Sequence, residues 1–375
     1  YTLLKNVGLK SENALVGSLT FLFIPAVSFS SFIISTDLFL LLFWTLSLNE
    51  LIKISKYQKI RNFILLGIFL GLGILSKYAA IYFILCLFIL IIIDKNFRKI
   101  FFDNYVKFFI SFLCFIVILL PNFIWNVNNN WVTLQHTSDN ANFENIQLSI
   151  TRGLEFLIVQ TFMLGPFIVL GRLFGFKKKE SFQNFFLIFS IPIILIVFIE
   201  AIIVRANANW AAPALISLFV YLYIGLNNFY LRVFNYFFNF VFCGIFFIMI
   251  GISYPSNMFD RISGLKEYAE EVYEKASDVS KKNMVISDRL LFSSMSYELK
   301  GKDINFYMPY KEGTKITNHF KITHPLDVGM DNNFTFIGSL SDINYLEKDY
   351  KLINKDSPDQ IFTKRKLDVY EVIFE

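Results

Sequence analysis

The chain has 375 residues, is 55% hydrophobic and 18% aromatic, and carries a net charge of +5 with a mean hydropathy of +0.52. Soluble domains average about 45–50% apolar residues, so the composition argues against a freely soluble enzyme and for a membrane protein. The positive balance gives no support to nucleic-acid binding: residues 1–254 hold 18 Lys and Arg against 10 Asp and Glu, residues 255–375 hold 17 against 20, and the first set sits in loops between apolar runs.

The chain opens on Tyr1 without a basic leader or a small-residue cleavage site. "YTLL" reads as the tail of an earlier helix, so a preceding segment is expected. Apolar runs follow near 13–34, 38–52, 62–76, 79–93, 108–124, 152–171, 183–203, 211–226 and 233–253. Runs of roughly 17–25 residues cross the hydrocarbon core as helices, and several of these lie near the lower limit. "SKY" at Ser76–Tyr78 divides Phe63–Ile93 into a hairpin of two short helices. "LLPNFIWNVNNNWVTLQHTSDNAN", Leu119 to Asn142, leaves its apolar helix at Pro121, near Ile124, and becomes polar and aromatic before the next run begins near Ile150. Cys86, Cys114 and Cys243 all fall inside apolar runs, which favours packing over a disulfide or zinc framework.

The loops alternate in charge. Lys5 and Lys10, Lys53 to Arg61, Lys95 to Lys107, Arg172 to Lys179, and Arg232 make one set of 15 basic residues; Lys77, Arg152 and Arg205 are the 3 on the other side. The positive-inside rule puts the first set in the cytoplasm and residues 255–375 outside. That tail reads as a small α/β domain. "GLKEYAEEVYEKA" (Gly264–Ala276) is an amphipathic helix, and "NMVIS" (Asn283–Ser287), "INFYM" (Ile304–Met308), "FTFIG" (Phe334–Gly338) and "DVYEVIF" (Asp368–Phe374) read as strands. Helical patterns between the early strands predict βαβ packing, and no nucleotide-binding glycine motif is present. The expected fold is therefore mostly α, with polytopic membrane helices over 1–254 and a C-terminal non-cytoplasmic α/β domain over 255–375.

Unusual residues gather on the outer face. Trp125 and Trp131 suit interfacial anchors. Asp37 suits an N-cap, yet a carboxylate so close to hydrocarbon also marks functional cavities. Lys77 at the hairpin tip either snorkels or faces a cavity. Arg152 and Glu155 either pair along one helix face or join the polar surface. Arg205 and "NANW" (Asn207–Trp210) form a tight outer loop, with Glu200 one turn before. A bound anion would explain Lys77, Arg152 and Arg205 together, and a phosphate at a membrane surface suggests a lipid phosphate.

The ordered stretches "STDLFLLLFW", "GLGILSKYAAIYF", "LLPNFIWNVNNNWVTLQHTSDNAN" and "ANANWAAPAL" resemble the bacterial GT-C type polyprenyl-phosphate-sugar transferases, relatives of the protein O-mannosyltransferases and the lipid A aminoarabinose transferase. The resemblance covers most of residues 10–226; the tail resembles their periplasmic domain more loosely. It implies a multi-pass enzyme of the bacterial inner membrane, with a periplasmic C-terminal domain, moving a sugar from a polyprenyl-phosphate carrier to a lipid, glycan or protein acceptor. By resemblance Asp37 is the second acidic residue of the site, with Ser-Thr-Asp in place of a Thr-Pro-Asp-like pattern. His136, within a T-x-x-H-T-x-x-N-A context, and Lys77 and Arg205 are candidates for the donor phosphate; Glu155, Asn209 and Trp210 are candidate substrate contacts. The family's main catalytic acid is expected before residue 1. No ligand set demands a metal; a divalent ion at His136 stays open, and no other cofactor is implied. The competing reading is a transporter or lipid flippase with a periplasmic cap.

Overall fold

The computed structural model describes residues 1–32, 35–141, 146–171, 182–226, 228–252, 263–358 and 367–374; the side chains of Ser30, His136 and residues 139–141 lie outside it, as does the basic stretch 172–181. The chain forms two compact units, Tyr1–Phe247 and Ile248–Glu375.

In the first unit α1 (Thr2–Val7), α2 (Ser11–Leu22) and α3 (Pro25–Phe32) precede α4 (Thr36–Tyr57). The single run expected over 13–34 is thus broken before Pro25, which opens a new helix because its ring cannot donate to the previous turn. α5 (Ile60–Ser76), a 3₁₀ turn (Tyr78–Ala80) and α6 (Ile81–Ile93) show the predicted break at Ser76–Tyr78, with α5 packed on α4 and α8. α7 (Lys95–Asp103) then turns away from Tyr78–Ile93 by 105°. Asp94 starts it, its carboxylate accepting from the Asn96 and Phe97 backbone at 2.8 and 2.9 Å. α7 buries Phe97 and leaves Lys95 and Arg98 half-buried or exposed, the pattern of an interfacial helix.

α8 (Tyr105–Asn128) corrects the expected helix end near Ile124: it runs through Pro121 for another two turns. A proline there removes one backbone bond and is tolerated in membrane helices, where local adjustment re-satisfies the freed groups. The polar segment after it is a helix too, α9 (Val132–Ala141), where composition suggests a loop. α10 (Ile150–Leu164), α11 (Pro166–Leu170), α12 (Gln183–Ile188), α13 (Ile191–Ile203), a 3₁₀ turn (Ala208–Ala211), α14 (Ala212–Gly225) and α15 (Phe229–Gly251) complete the unit. Among the described residues, five helices are long and apolar enough to cross a membrane, six if the bent pair counts as one span.

α4 and α14 form the centre. Leu40, Leu41, Trp44, Leu48, Leu51 and Ile52 of α4 are buried, and α14 is buried on nearly every face. Trp44 meets Phe83 edge-on at 4.9 Å, and Phe83 meets Phe189 at 4.7 Å, giving the aromatic pairs that add to packing in a core. α5 and α8 approach so closely that a Cβ on Gly67 would fall 2.0 Å from the Ser111 carbonyl oxygen, and one on Gly71 would fall 2.8 Å from Ile118. This is small-residue spacing that lets two membrane helices touch backbones. All three cysteines are free.

The second unit holds α16 (Leu265–Lys275), β1 (Asn283–Ile286), α17 (Arg289–Glu298), β2 (Asn305–Tyr307), α18 (Phe320–Thr323), β3 (Phe334–Gly338), β4 (Tyr350–Lys355) and β5 (Asp368–Phe374). The sheet order is β2-β1-β3-β5-β4. β1 is parallel to both β2 and β3, while β5 and β4 add antiparallel. β4, "YKLINK", was not foreseen: as an edge strand it exposes Lys351 and Leu352 side by side, which hides its alternation. Met284 and Ile286 pack with α16 and α17 on one face, and Val285, Phe334 and Phe336 pack on the other.

Candidate active site

Asp37 lies in the first turn of α4 and is 6% exposed. Ser35 holds the N-cap position expected for Asp37, so the carboxylate is free to point elsewhere. Its Oδ1 accepts from Lys77 Nζ at 2.5 Å and its Oδ2 accepts from Asn209 Nδ2 at 2.9 Å. Three segments separated widely in sequence thus meet on one carboxylate. Burial of an isolated carboxylate would be very costly; a cation, an amide and the positive end of α4 offset that cost.

Backbone breaks aim the partners. Lys77 is extended (φ −161°, ψ 131°) between α5 and the 3₁₀ turn, with its N–H on the Gly73 carbonyl and its carbonyl receiving Ala80 N–H, each at 3.0 Å. Asn209 sits in the 3₁₀ turn before α14, which Gln160 holds by donating to the Ala208 carbonyl at 2.9 Å. Trp210 packs against the unit's core beside it.

Next to Lys77, the Tyr78 hydroxyl donates to Asn122 Oδ1 at 3.1 Å and lies 3.1 Å from Thr133 Oγ1, which in turn donates to Asn126 Oδ1. Asn126 is 2% exposed and also bonds the Asn122 carbonyl at 2.9 Å. This network ties the end of α8 and the start of α9 to the break between α5 and α6. The sequence reading missed Tyr78, Asn122, Asn126 and Thr133; the signal for the last three was the density of polar side chains in "PNFIWNVNNNWVT". His136 lies one turn further along α9, with its side chain outside the described residues. Trp125 and Trp131 are 41% and 39% exposed, as interfacial anchors are.

The remaining candidates lie apart. Arg152 does not pair with Glu155: its guanidinium donates to the Gln147 and Val204 carbonyls, and Gln147 and Ser149 donate to Ile203 and Ile202 at 3.0 and 2.8 Å. The arginine thus closes the approach to α10 onto the end of α13, because carbonyls left open at a helix end need donors. Glu155 and Arg205 are exposed, with no ion pair or hydrogen bond among the described residues. A single anion is therefore not needed to explain these three cations: Lys77 has Asp37, Arg152 has carbonyls, and of the three only Arg205 is unpaired among the described residues. Among the described residues no three His, Cys, Asp or Glu side chains come together as metal ligands.

The opposite ends of the same helices hold the basic residues. Lys53 pairs with Glu50 at 2.7 Å, Lys56 donates to the Asn6 carbonyl at 2.5 Å, and Lys107 donates to the Gln58 carbonyl at 2.9 Å. At 1.5 Å rise per residue, Asp37 and Lys56 stand about 28 Å apart along α4, close to the thickness of a hydrocarbon core.

The model of the dolichyl-phosphate-mannose-protein mannosyltransferase family matches residues 1–125, the part that contains Asp37 and Lys77. The chain is 26% identical over 203 residues to the lipid A galacturonosyltransferase RgtD of Rhizobium johnstonii; the match covers 53% of this chain and 42% of that relative. No solved structure matches it significantly. The chain is thus similar over part of its length to sugar transferases, and it spans less than half the length of the curated relative it matches.

Proposed function

We propose that the chain moves a sugar from a polyprenyl-phosphate carrier to a hydroxyl of a lipid, glycan or protein acceptor, at the non-cytoplasmic face of a bacterial inner membrane. The observation that carries this reading is the Asp37–Lys77–Asn209 cluster at the helix ends opposite the basic loops. On this reading the α/β unit is periplasmic. The similarity to a lipid A galacturonosyltransferase makes a glycolipid the first acceptor to try.

The donor is already activated, so no nucleotide is required. The acceptor oxygen attacks the anomeric carbon while the bond from that carbon to the carrier phosphate breaks, and the electron pair leaves with the phosphate. Lys77 keeps one N–H on Asp37 and has two others to offer the departing oxygens; donors fixed where charge develops lower the barrier. Asp37 orients that ammonium and is the described carboxylate placed to receive or orient the acceptor's proton. Tyr78 and its amide partners hold α9, and with it His136, against the same break.

The test is transfer of a radiolabelled sugar from a defined polyprenyl-phosphate donor in membranes containing the protein. Asp37→Asn and Lys77→Ala should each lower transfer on the order of 10²-fold with the protein still folded. Undiminished transfer in both variants rejects the site. Carrier movement across liposomes without sugar transfer would favour a flippase instead.

A further inference from the structure

The α/β unit contains a cavity of about 520 Å³ that the membrane-face reading does not use. Its size lies within the ~300–1,000 Å³ of small-molecule sites. It opens at the carboxyl ends of the parallel strands: Ser287 and Asp288 follow β1, Tyr310 and Lys311 follow β2, and Ser341 and Asp342 follow β3.

This position follows from topology. The chain leaves β1 through α17 toward β2, and leaves β3 toward β5 and β4 on the other side. Adjacent strands whose outgoing connections part in opposite directions leave a crevice beyond their carboxyl ends, which is where ligands bind in open α/β sheets. Ser287, which lines the crevice, is packed directly against a glycine. A Cβ on Gly338, the last residue of β3, would fall 2.2 Å from Ser287 Oγ. Ser287 N–H donates to the Ile337 carbonyl at 3.0 Å, but its buried hydroxyl oxygen has no hydrogen-bond partner among the described residues. A buried hydroxyl left unpaired carries a desolvation cost that a ligand's polar atom would relieve.

The lining specifies the ligand's chemistry. Asp288 gives one oxygen to the Leu291 N–H at 2.9 Å and Asp342 gives one to the Ser339 N–H at 3.2 Å, so each keeps an oxygen for a hydroxyl. Tyr345, fixed by Tyr310 N–H at 3.0 Å and by its own bond to the Leu326 carbonyl at 3.2 Å, is a rigid aromatic wall. Lys321 donates only to the Lys315 carbonyl, at 3.4 Å, and neither it nor Lys311 has an ion pair among the described residues. Carboxylate and hydroxyl groups that bond to sugar hydroxyls, an aromatic wall, and two cations with free charge fit a polyhydroxylated ring bearing an acid. We infer that this cleft is a separate binding site for an acidic sugar, either a sugar acid or a glycosyl phosphate.

Titration calorimetry of the purified full chain in detergent, with glucuronate, glucose 1-phosphate, glucose and inorganic phosphate, tests the assignment. One or both sugar acids should saturate the protein, with glucose and inorganic phosphate at least about tenfold weaker, since each lacks one half of the recognition. Preference between the two acids tells a carboxylate source from a phosphate source. Lys311→Ala with Lys321→Ala, both on the unit's surface, should weaken the acids by a similar factor without changing hydrogen exchange in the sheet. Gly338→Ala should push Ser287 out of place and weaken them as well, while Asp37→Asn should leave the binding unchanged. The inference is overturned if neither acid saturates at millimolar concentration, if glucose or phosphate binds as well as the acids, or if the double lysine variant binds normally. It is also overturned if Asp37→Asn abolishes the signal, which would assign the binding to the membrane unit.

Discussion

The Asp37–Lys77 pair makes a quantitative demand on stability. Removing one member of a buried pair strands the other and costs about 3–5 kcal/mol, whereas exposed pairs are worth about 0–1 kcal/mol. The Asp37 side chain is 9% exposed and that of Lys77 25%, so this pair lies between those limits. Lys77→Met leaves the more buried charge with Asn209 alone, for about 2 kcal/mol. Asp37→Asn leaves a longer side chain that can bend toward headgroups, for about 1 kcal/mol. The double variant removes both charges and should cost less than the sum, with a coupling of about 1–2 kcal/mol. Tryptophan fluorescence during unfolding by increasing dodecyl sulfate in mixed micelles reads all four corners of the cycle. Additivity within about 0.5 kcal/mol would refute the contact, and equal tolerance of the two single changes would refute the assignment of Asp37 as the stranded charge.

Three further outcomes follow from particular contacts. Gly67→Val should separate α5 from α8, costing about 1–3 kcal/mol and lowering the yield of folded protein, because even a Cβ meets the Ser111 carbonyl at 2.0 Å; unaltered thermal stability would show that the helices do not touch there. In the α/β unit burial pushes the Glu371 carboxyl up, but hydrogen bonds from Ser277, Lys355 and Ser280 outweigh it and hold the group below its ordinary value of 4.5. A lowered folded value means stability present above about pH 4.5 and lost as pH falls through it. Protection of the β3 and β5 amides, taken relative to the intrinsic exchange rate at each pH, should therefore fall below that pH, and Glu371→Gln should flatten the dependence; a parallel acid response in both proteins refutes the linkage. With native cysteines replaced by serine, a membrane-impermeant maleimide added to intact spheroplasts should label Arg205→Cys and spare Lys59→Cys. Labelling of both from one side removes the sidedness on which the proposed reaction depends.

Periodicity made most of the fold legible. The break at Ser76–Tyr78 and the strands β3 and β5 fall where their patterns put them, because the length of an apolar run and its enrichment in β-branched and aromatic residues are local signals. The helix breaks before Pro25 and after Leu164, and the continuation through Pro121, were not legible, since proline can start a helix or sit inside one and only neighbouring packing decides. The site was legible in part for a similar reason. Asp37, Lys77 and Asn209 stood out as polar residues at apolar boundaries, but that they share one carboxylate is a tertiary fact. Arg152 stood out equally and serves a different end, closing a helix terminus with two carbonyl bonds.

That difference exposes the logic of the site. Within a membrane, backbone that is not helical is tolerated only where protein or a wet cavity supplies its missing partners. The cluster uses three such interruptions: the start of α4 at Ser35, the extended Lys77 between α5 and α6, and the 3₁₀ turn carrying Asn209. Each interrupts the regular run of helix beside a side chain that joins the cluster: Asp37 just inside the start of α4, Lys77 in its extended residue and Asn209 in its 3₁₀ turn. A chain that served only to span the bilayer would gain nothing from three interruptions at one level, and it would pair Lys77 with headgroups rather than fix it on a carboxylate that is 6% exposed. Holding a cation in one place before any ligand arrives is what stabilising a leaving phosphate requires, since the reorganisation is complete before the charge develops. The same fixation predicts that Asp37→Asn, which keeps the shape and releases the ammonium, should lower the rate of sugar transfer more than the affinity for the donor.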